Sequence, residues 1–96
     1  MDGLIVNEPY ATELVTGKKD VEYRSTPLPE NKKDEKVLIL NGKFAIGWVI
    51  FAGHYREPGT KNFKWFVVDH KLFSPFLKYK HKNGCVIWIN SVDVEE

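Results

Sequence analysis

The sequence predicts a small β-barrel, closed or nearly closed: mainly β with minor α, five to six strands and one short N-terminal helix. Three observations predict it. Short apolar runs recur along the chain, each bounded by Pro, Gly or Asn turn signals. The 96 residues suffice for one domain, spanning 1–96, and leave too little chain for a second core. Six Phe, four Tyr and three Trp, 14% of the chain, supply the large rings that a barrel this short needs to fill its interior.

Taken in order, Leu4-Ile5-Val6 reads as an opening strand. Asn7 then offers a side-chain cap, Pro9 suits a first helical turn, and Glu8 is favourably placed against the helix dipole. Tyr10, Ala11, Leu14 and Val15 recur at helical spacing, and Gly17 supplies a stop, giving a helix of about two and a half turns. After Gly17 the period changes to two. Val21 and Tyr23 alternate with Asp20, Glu22 and Arg24, the pattern of a half-buried strand. With Val21 and Tyr23 toward the core, Glu22 and Arg24 would face outward or into a cleft. Residues 25–36, with Pro27, Pro29 and a run of charges, form a loop, and Val37 to Leu40 a buried strand. Asn41-Gly42 signals a type I′ hairpin, and Lys43 to Ala52 a long returning strand. Pro58-Gly59 turns the chain into another strand, Asn62 to Asp69. Lys71 to Lys82, interrupted by Pro75, reads as a loop with a short helical turn, and Val86 to Ile89, within 85–90, as the closing strand.

Composition narrows the function classes. Lys and Arg number 14 against 13 Asp and Glu, a net charge of +1, which excludes a protein that binds nucleic acid through net charge alone. The balance is nevertheless uneven along the chain. From Met1 to Gly53 the net is −1, from His54 to Gly84 it is +5, and from Cys85 onward it is −3. A local basic face attracts phosphates even on a nearly neutral molecule, because salt screens each charge beyond about 10 Å. The single Cys85 excludes an internal disulfide and any multi-cysteine zinc site. No apolar run approaches the roughly 20 residues of a membrane span, and Met1-Asp2-Gly3 has no signal-peptide layout, so a soluble, cytoplasmic domain without membrane contact is expected. Oligomeric state is not encoded in any of these features.

One segment concentrates chemistry: Gly17-Lys18-Lys19-Asp20-Val21-Glu22-Tyr23-Arg24. Glu22 and Arg24 leave one face of a strand, and Lys19 stands at the helix-to-strand junction, within reach of the same region. A Lys, Glu and Arg gathered there can bind an anion, orient an amide or carry a proton. The same residues also fit an exposed cross-strand ion pair worth about 0–1 kcal/mol.

The pattern G-x-K-x-x-E-x-R after a short helix resembles the signature of the ASCH domain, a small β-barrel family related to PUA domains. Pro9-Tyr10-Ala11 resembles that family's first helix, Ile46-Gly47-Trp48-Val49 its central strand, and residues 75–88 its closing loop and strand. The resemblance implies a pocket between the first helix and the barrel, with Lys19, Glu22 and Arg24 at its floor or rim. It implies binding of RNA or a nucleoside- or nucleotide-like ligand there. It also offers an alternative, a small hydrolase acting on modified nucleosides, such as an N4-acetylcytidine amidohydrolase, or on RNA. Lys19 and Glu22 would then be the catalytic pair. In that hydrolase branch a lysine activates a threonine, and the threonine position is here Glu22. A carboxylate does not inherit the role of a lysine-activated hydroxyl. A protein-interaction module without chemistry is the third class.

Tyr79-Lys80-His81-Lys82 interleaves a ring with positive charge, so a base stacked on Tyr79 with phosphates near Lys78, Lys80 and Lys82 is a second candidate contact. Tyr79 also fits as a cap on one end of the barrel. His54, His70, His81 and Cys85 match no zinc spacing, so no metal and no cofactor are expected. Cys85, at the head of an apolar run, reads as a small buried hydrophobe. Trp48, Trp65 and Trp88 lie in strand patterns and read as core.

Overall fold

The computed structural model describes residues 1–95. Its elements run β1 (Gly3–Ile5), α1 (Tyr10–Thr16), β2 (Val21–Arg24), a 3-10 turn (Glu30–Lys32), β3 (Lys36–Leu40), β4 (Phe44–Arg56), β5 (Phe63–Tyr79), β6 (Trp88–Ile89) and β7 (Val94–Glu95). The strands form one curled sheet in the order β2-β5-β4-β3-β1-β6, a half-barrel, with β7 pairing the far end of β5. The β3-β4-β5 meander is antiparallel, and β1 lies parallel to β3 while pairing antiparallel with β6. No helix among the described residues is long and apolar enough to cross a membrane.

The helix forms where its spacing places it, but its cap differs from expectation. Asn7 makes no side-chain cap. Glu8 does the work instead, its Oε1 accepting from the Thr12 backbone N–H at 2.9 Å and from the Thr12 hydroxyl at 2.8 Å. Burial pushes the Glu8 carboxyl up, but bonds from the Thr12 amide, the Asn41 side chain and the Thr12 hydroxyl outweigh this, and its pKa falls below 4.5. Gly17 ends the helix in the left-handed region at φ 80°, donating its N–H to the Leu14 carbonyl.

Ala11, Leu14 and Val15 turn into the concave side of the sheet. There they meet Leu4, Val6, Ile39, Ile46, Val49, Phe51 and Trp65, all buried. Complete burial of one Leu, Ile or Phe is worth about 1.5–3 kcal/mol. Gly47 lets the helix approach: a Cβ at that position would collide with the Val15 side chain and the Lys71 carbonyl oxygen. A second apolar cluster, with Leu38, Leu40, Ala45, Tyr79, Ile89 and Val92, fills the side where the chain closes.

Three local expectations change. The β3-β4 connection is a hairpin, but Gly42 alone takes positive φ (96°), so it is not type I′. Asn41 contributes through its side chain, whose Oδ1 accepts from the backbone N–H groups of Lys43 and Phe44 at 3.0 and 2.8 Å. Residues 71–79 are strand rather than loop, because β5 continues to Tyr79. Pro75 costs no ladder bond there, since the β4 register steps from Gly47↔Leu72 to Ala45↔Leu77 and leaves the residues between unpaired. The closing strand shrinks to Trp88–Ile89, with Val86 and Ile87 exposed before it.

Candidate functional site

β2 is an edge strand that pairs with β5, in the register Val21↔Phe66, Glu22↔Trp65, Tyr23↔Lys64 and Arg24↔Phe63. Directly opposed residues of an antiparallel pair share a face. Glu22 and Arg24 therefore lie on the face of Trp65, which is fully buried. The alternation expected for β2 is present but inverted. Glu22 is only 5% exposed, whereas Tyr23 is 52% exposed. An anion is buried because cations surround it.

Glu22 Oε1 accepts from Lys19 Nζ at 3.0 Å. Its Oε2 accepts from Arg24 Nε at 3.1 Å and from Nη2 at 2.9 Å. Arg24 Nη2 also donates to the Ile5 carbonyl at 3.0 Å, which ties β2 to β1 across the opening of the half-barrel. Both carboxylate oxygens are thus engaged by positive charge, the compensation that burial of an anion demands. The Arg24 guanidinium stands 5.9 Å from the Trp65 ring centre. Trp65 in turn stacks on Trp88 at 5.9 Å and 19° and donates its indole N–H to the Thr26 carbonyl at 3.0 Å. Lys19 arrives from the turn after Gly17, where its backbone N–H donates to the Glu13 carbonyl. Its ammonium lies 4.9 Å from the Tyr10 ring centre and 5.7 Å from that of Tyr23.

Lys19, Glu22 and Arg24 line a cleft of about 550 Å³ between the start of α1 and β2. Tyr10, Tyr23 and Val86 also line it, together with Ile5 to Asn7 and Ser25. Chemically the cleft is donor-rich. Lys19 spends one of its three N–H donors on Glu22, and Arg24 Nη1 makes no hydrogen bond among the described residues. Two cations face one anion between two exposed aromatic faces. This suits a flat ligand carrying carbonyl, ring-nitrogen or phosphate acceptors.

The sequence-predicted residues divide into two places. Lys19, Glu22 and Arg24 come together. Tyr79, Lys80 and Lys82 lie at the other end of β5. Tyr79 is buried in the second apolar cluster, with its hydroxyl 3.3 Å from His81 Nδ1, so it caps the barrel end and offers no free ring face. Burial raises its phenol pKa above 10.0. Lys80 and Lys82 are exposed, and Lys82 Nζ donates to the Asn90 carbonyl at 2.6 Å. The loop that carries them leads to Val86, and through it to the cleft. The histidines are scattered: His70 Nδ1 bonds the Val15 carbonyl, His81 Nε2 the Cys85 carbonyl, and His54 packs edge-on to Phe63. No group of three His, Cys, Asp or Glu that could hold a metal occurs among the described residues.

Sequence reasoning missed Tyr10, Tyr23 and Val86 as cleft walls. Helical spacing groups Tyr10 with Ala11, Leu14 and Val15, but those three are buried and Tyr10 is not. Tyr10 is 52% exposed, at the first residue of α1.

Compared with known proteins, residues 4–95 match the family model of the ASCH domain. A search of the curated proteins finds no match.

Proposed function

The chain belongs to the ASCH domain family, a PUA-like family, and from that premise we propose that it binds RNA or a nucleotide-like ligand in the cleft between α1 and the sheet. The observation that carries this reading is the buried Glu22 held between Lys19 and Arg24 at the floor of a cleft walled by exposed tyrosines. Arg24 fixes a carbonyl or phosphate oxygen through its uncommitted Nη1. Lys19 supplies positive charge and a second donor. Glu22 orients both cations and accepts from a base amino group that approaches its remaining lone pairs. Tyr10 and Tyr23 cover the faces of the base. Lys80 and Lys82 guide phosphates approaching along the loop before Val86.

Hydrolysis of an acetylated nucleoside would need a free base or an activated nucleophile at this floor. Three of the acceptor positions of Glu22 are taken by Lys19 and Arg24, and Lys19 is itself paired with Glu22. Binding is therefore the function that the arrangement supports best.

The test is a titration with short single-stranded RNA at two salt concentrations, using the wild type and Arg24→Ala. Binding should weaken as salt rises and fall at least tenfold in the variant. Absence of salt-sensitive binding would sink the proposal. Deacetylation of N4-acetylcytidine that is lost in Lys19→Ala would replace binding with catalysis.

A further inference from the structure

The cleft is not the only place where rings and lysines meet. Tyr23 on β2, Lys64 on β5 and Tyr55 on β4 occupy one register row across three adjacent strands. Opposed residues share a face, so all three side chains leave the sheet on the side away from Glu22 and Trp65. Two residues along, the next row on that face is Val21, Phe66 and Gly53. Tyr23 is 52% exposed, Tyr55 51% and Phe66 39%. Beside Phe66 the surface is bare: nothing lies within 4 Å of the place a Cβ would take at Gly53.

We propose that this face of β2, β5 and β4 is a second binding surface, a stacking platform for single-stranded RNA that continues the strand leaving the cleft. The inference rests on the RNA reading for its ligand class, and adds to it a site outside the cleft. Three observations select this occupant. The face exposes three rings, and rings stack on bases of any sequence. Positive charge is interleaved with them: Lys64 Nζ lies 5.9 Å from the Tyr23 ring, and Lys19 Nζ 5.7 Å from it on the cleft side. Lys64 pairs with the Glu57 carboxylate at 3.8 Å, and both side chains are partly exposed, so a phosphate can compete for the ammonium. Finally, Tyr23 belongs to both surfaces, since it lines the cleft and heads the row. A chain bound at Lys19 and Arg24 therefore crosses the β2 edge directly onto Tyr23. Strand spacing places Tyr55 about 10 Å farther on.

Eight-residue oligocytidylate and oligoadenylate, with their mononucleotides, separate the two surfaces. Each is titrated against the wild type, Tyr55→Thr, Phe66→Thr, Tyr55→Phe and Arg24→Ala. Thermal melting confirms that each variant is folded. The octamers should bind the wild type at least tenfold more tightly than the mononucleotides. Tyr55→Thr and Phe66→Thr should each weaken octamer binding about fivefold or more, the lower bound for one lost base stack. Mononucleotide binding should not change in either, and Tyr55→Phe should retain octamer affinity. Octamer binding that both threonine variants leave intact overturns the platform while the cleft stands. Octamer binding lost in Tyr55→Thr but kept in Arg24→Ala supports the platform and removes the cleft. No binding of any probe to the wild type overturns both. A wild-type dimer that Tyr55→Thr dissociates also overturns the platform, by making the face a contact between copies of the chain.

Discussion

Glu22→Gln is the substitution that most directly probes the site. It preserves shape and removes one charge, and it turns one acceptor oxygen into an amide donor facing Lys19 or Arg24. Glu22 accepts three charge-assisted hydrogen bonds, from Lys19 at 3.0 Å and from Arg24 at 3.1 and 2.9 Å. Breaking a fully buried ion pair from one side costs about 3–5 kcal/mol, because the remaining charge is left uncompensated. Here the orphaned cations are not fully buried. The Lys19 side chain is 23% exposed and that of Arg24 19%, and both border an open cleft. Water entering there recovers part of the loss, so the expected cost is about 2–3 kcal/mol. For a domain of this size that corresponds to a fall in Tm of about 10–20 °C. The assay is thermal and urea unfolding at neutral pH, followed by tryptophan fluorescence. Trp65 stacks on Trp88 directly beneath the site and reports its collapse. Raising the salt should narrow the gap between variant and wild type, as anions reach the two cations. A fall in Tm below about 3 °C would refute the reasoning, because the carboxylate would then not be what makes two cations tolerable at that depth.

Two further outcomes follow from the packing and the ionisation of the fold. Gly17→Ala should cost more than about 1 kcal/mol in urea unfolding, since Gly17 needs φ 80° and a Cβ there would strike the His70 ring, which itself bonds the Val15 carbonyl. Stability should also decline on acidification. The Lys32 side chain first, and the Ser91 amide next, hold the Asp2 carboxyl below its ordinary 3.8, and Glu8 lies below 4.5. A lowered carboxylate stabilises the fold above its unfolded-state pKa and loses that contribution as pH falls through the folded value. Asp2→Asn and Glu8→Gln should therefore flatten the decline in ΔG below about pH 4.5, measured by urea unfolding across pH; a parallel decline in variant and wild type would remove both groups as the cause.

Much of the fold is legible in local patterns, and the failures have physical causes. The helix could be read because Ala11, Leu14 and Val15 bury one stripe and Gly17 is the residue that the left-handed cap needs. The strands at Val21, Val37 and Phe44 could be read because alternation or an apolar run carries them. The orientation of β2 could not. Period two fixes which residues share a face but not which face turns inward, and polarity points the wrong way when a carboxylate brings two cations of its own. Lys19 and Arg24 supply them, so the more polar set is buried and Tyr23 is left outside. Pro75 concealed the length of β5, because a proline normally ends a central strand; the unpaired stretch between Leu72 and Leu77 absorbs it. Tyr79 looked free beside its lysines because burial by Leu40, Ile89 and Val92 comes from distant segments that no window of sequence contains.

The position of β1 has a consequence for how the domain is made. Residues 3–5 leave the ribosome before either strand they pair with, yet they occupy an interior place in the sheet, between β3 at residues 38–40 and β6 at 88–89. The β3-β4-β5 meander can assemble from neighbours in sequence, whereas β1 waits for a partner at the opposite end of the chain. Until Trp88 and Ile89 emerge, a nascent β1 already on β3 keeps one unpaired backbone edge. Such open edges recruit other chains. The same long-range pairing raises the contact order and slows the last step of folding. Synthesis therefore passes through a window in which the arrival of β6 separates a covered β1 edge from one that can still grow by adding a neighbour.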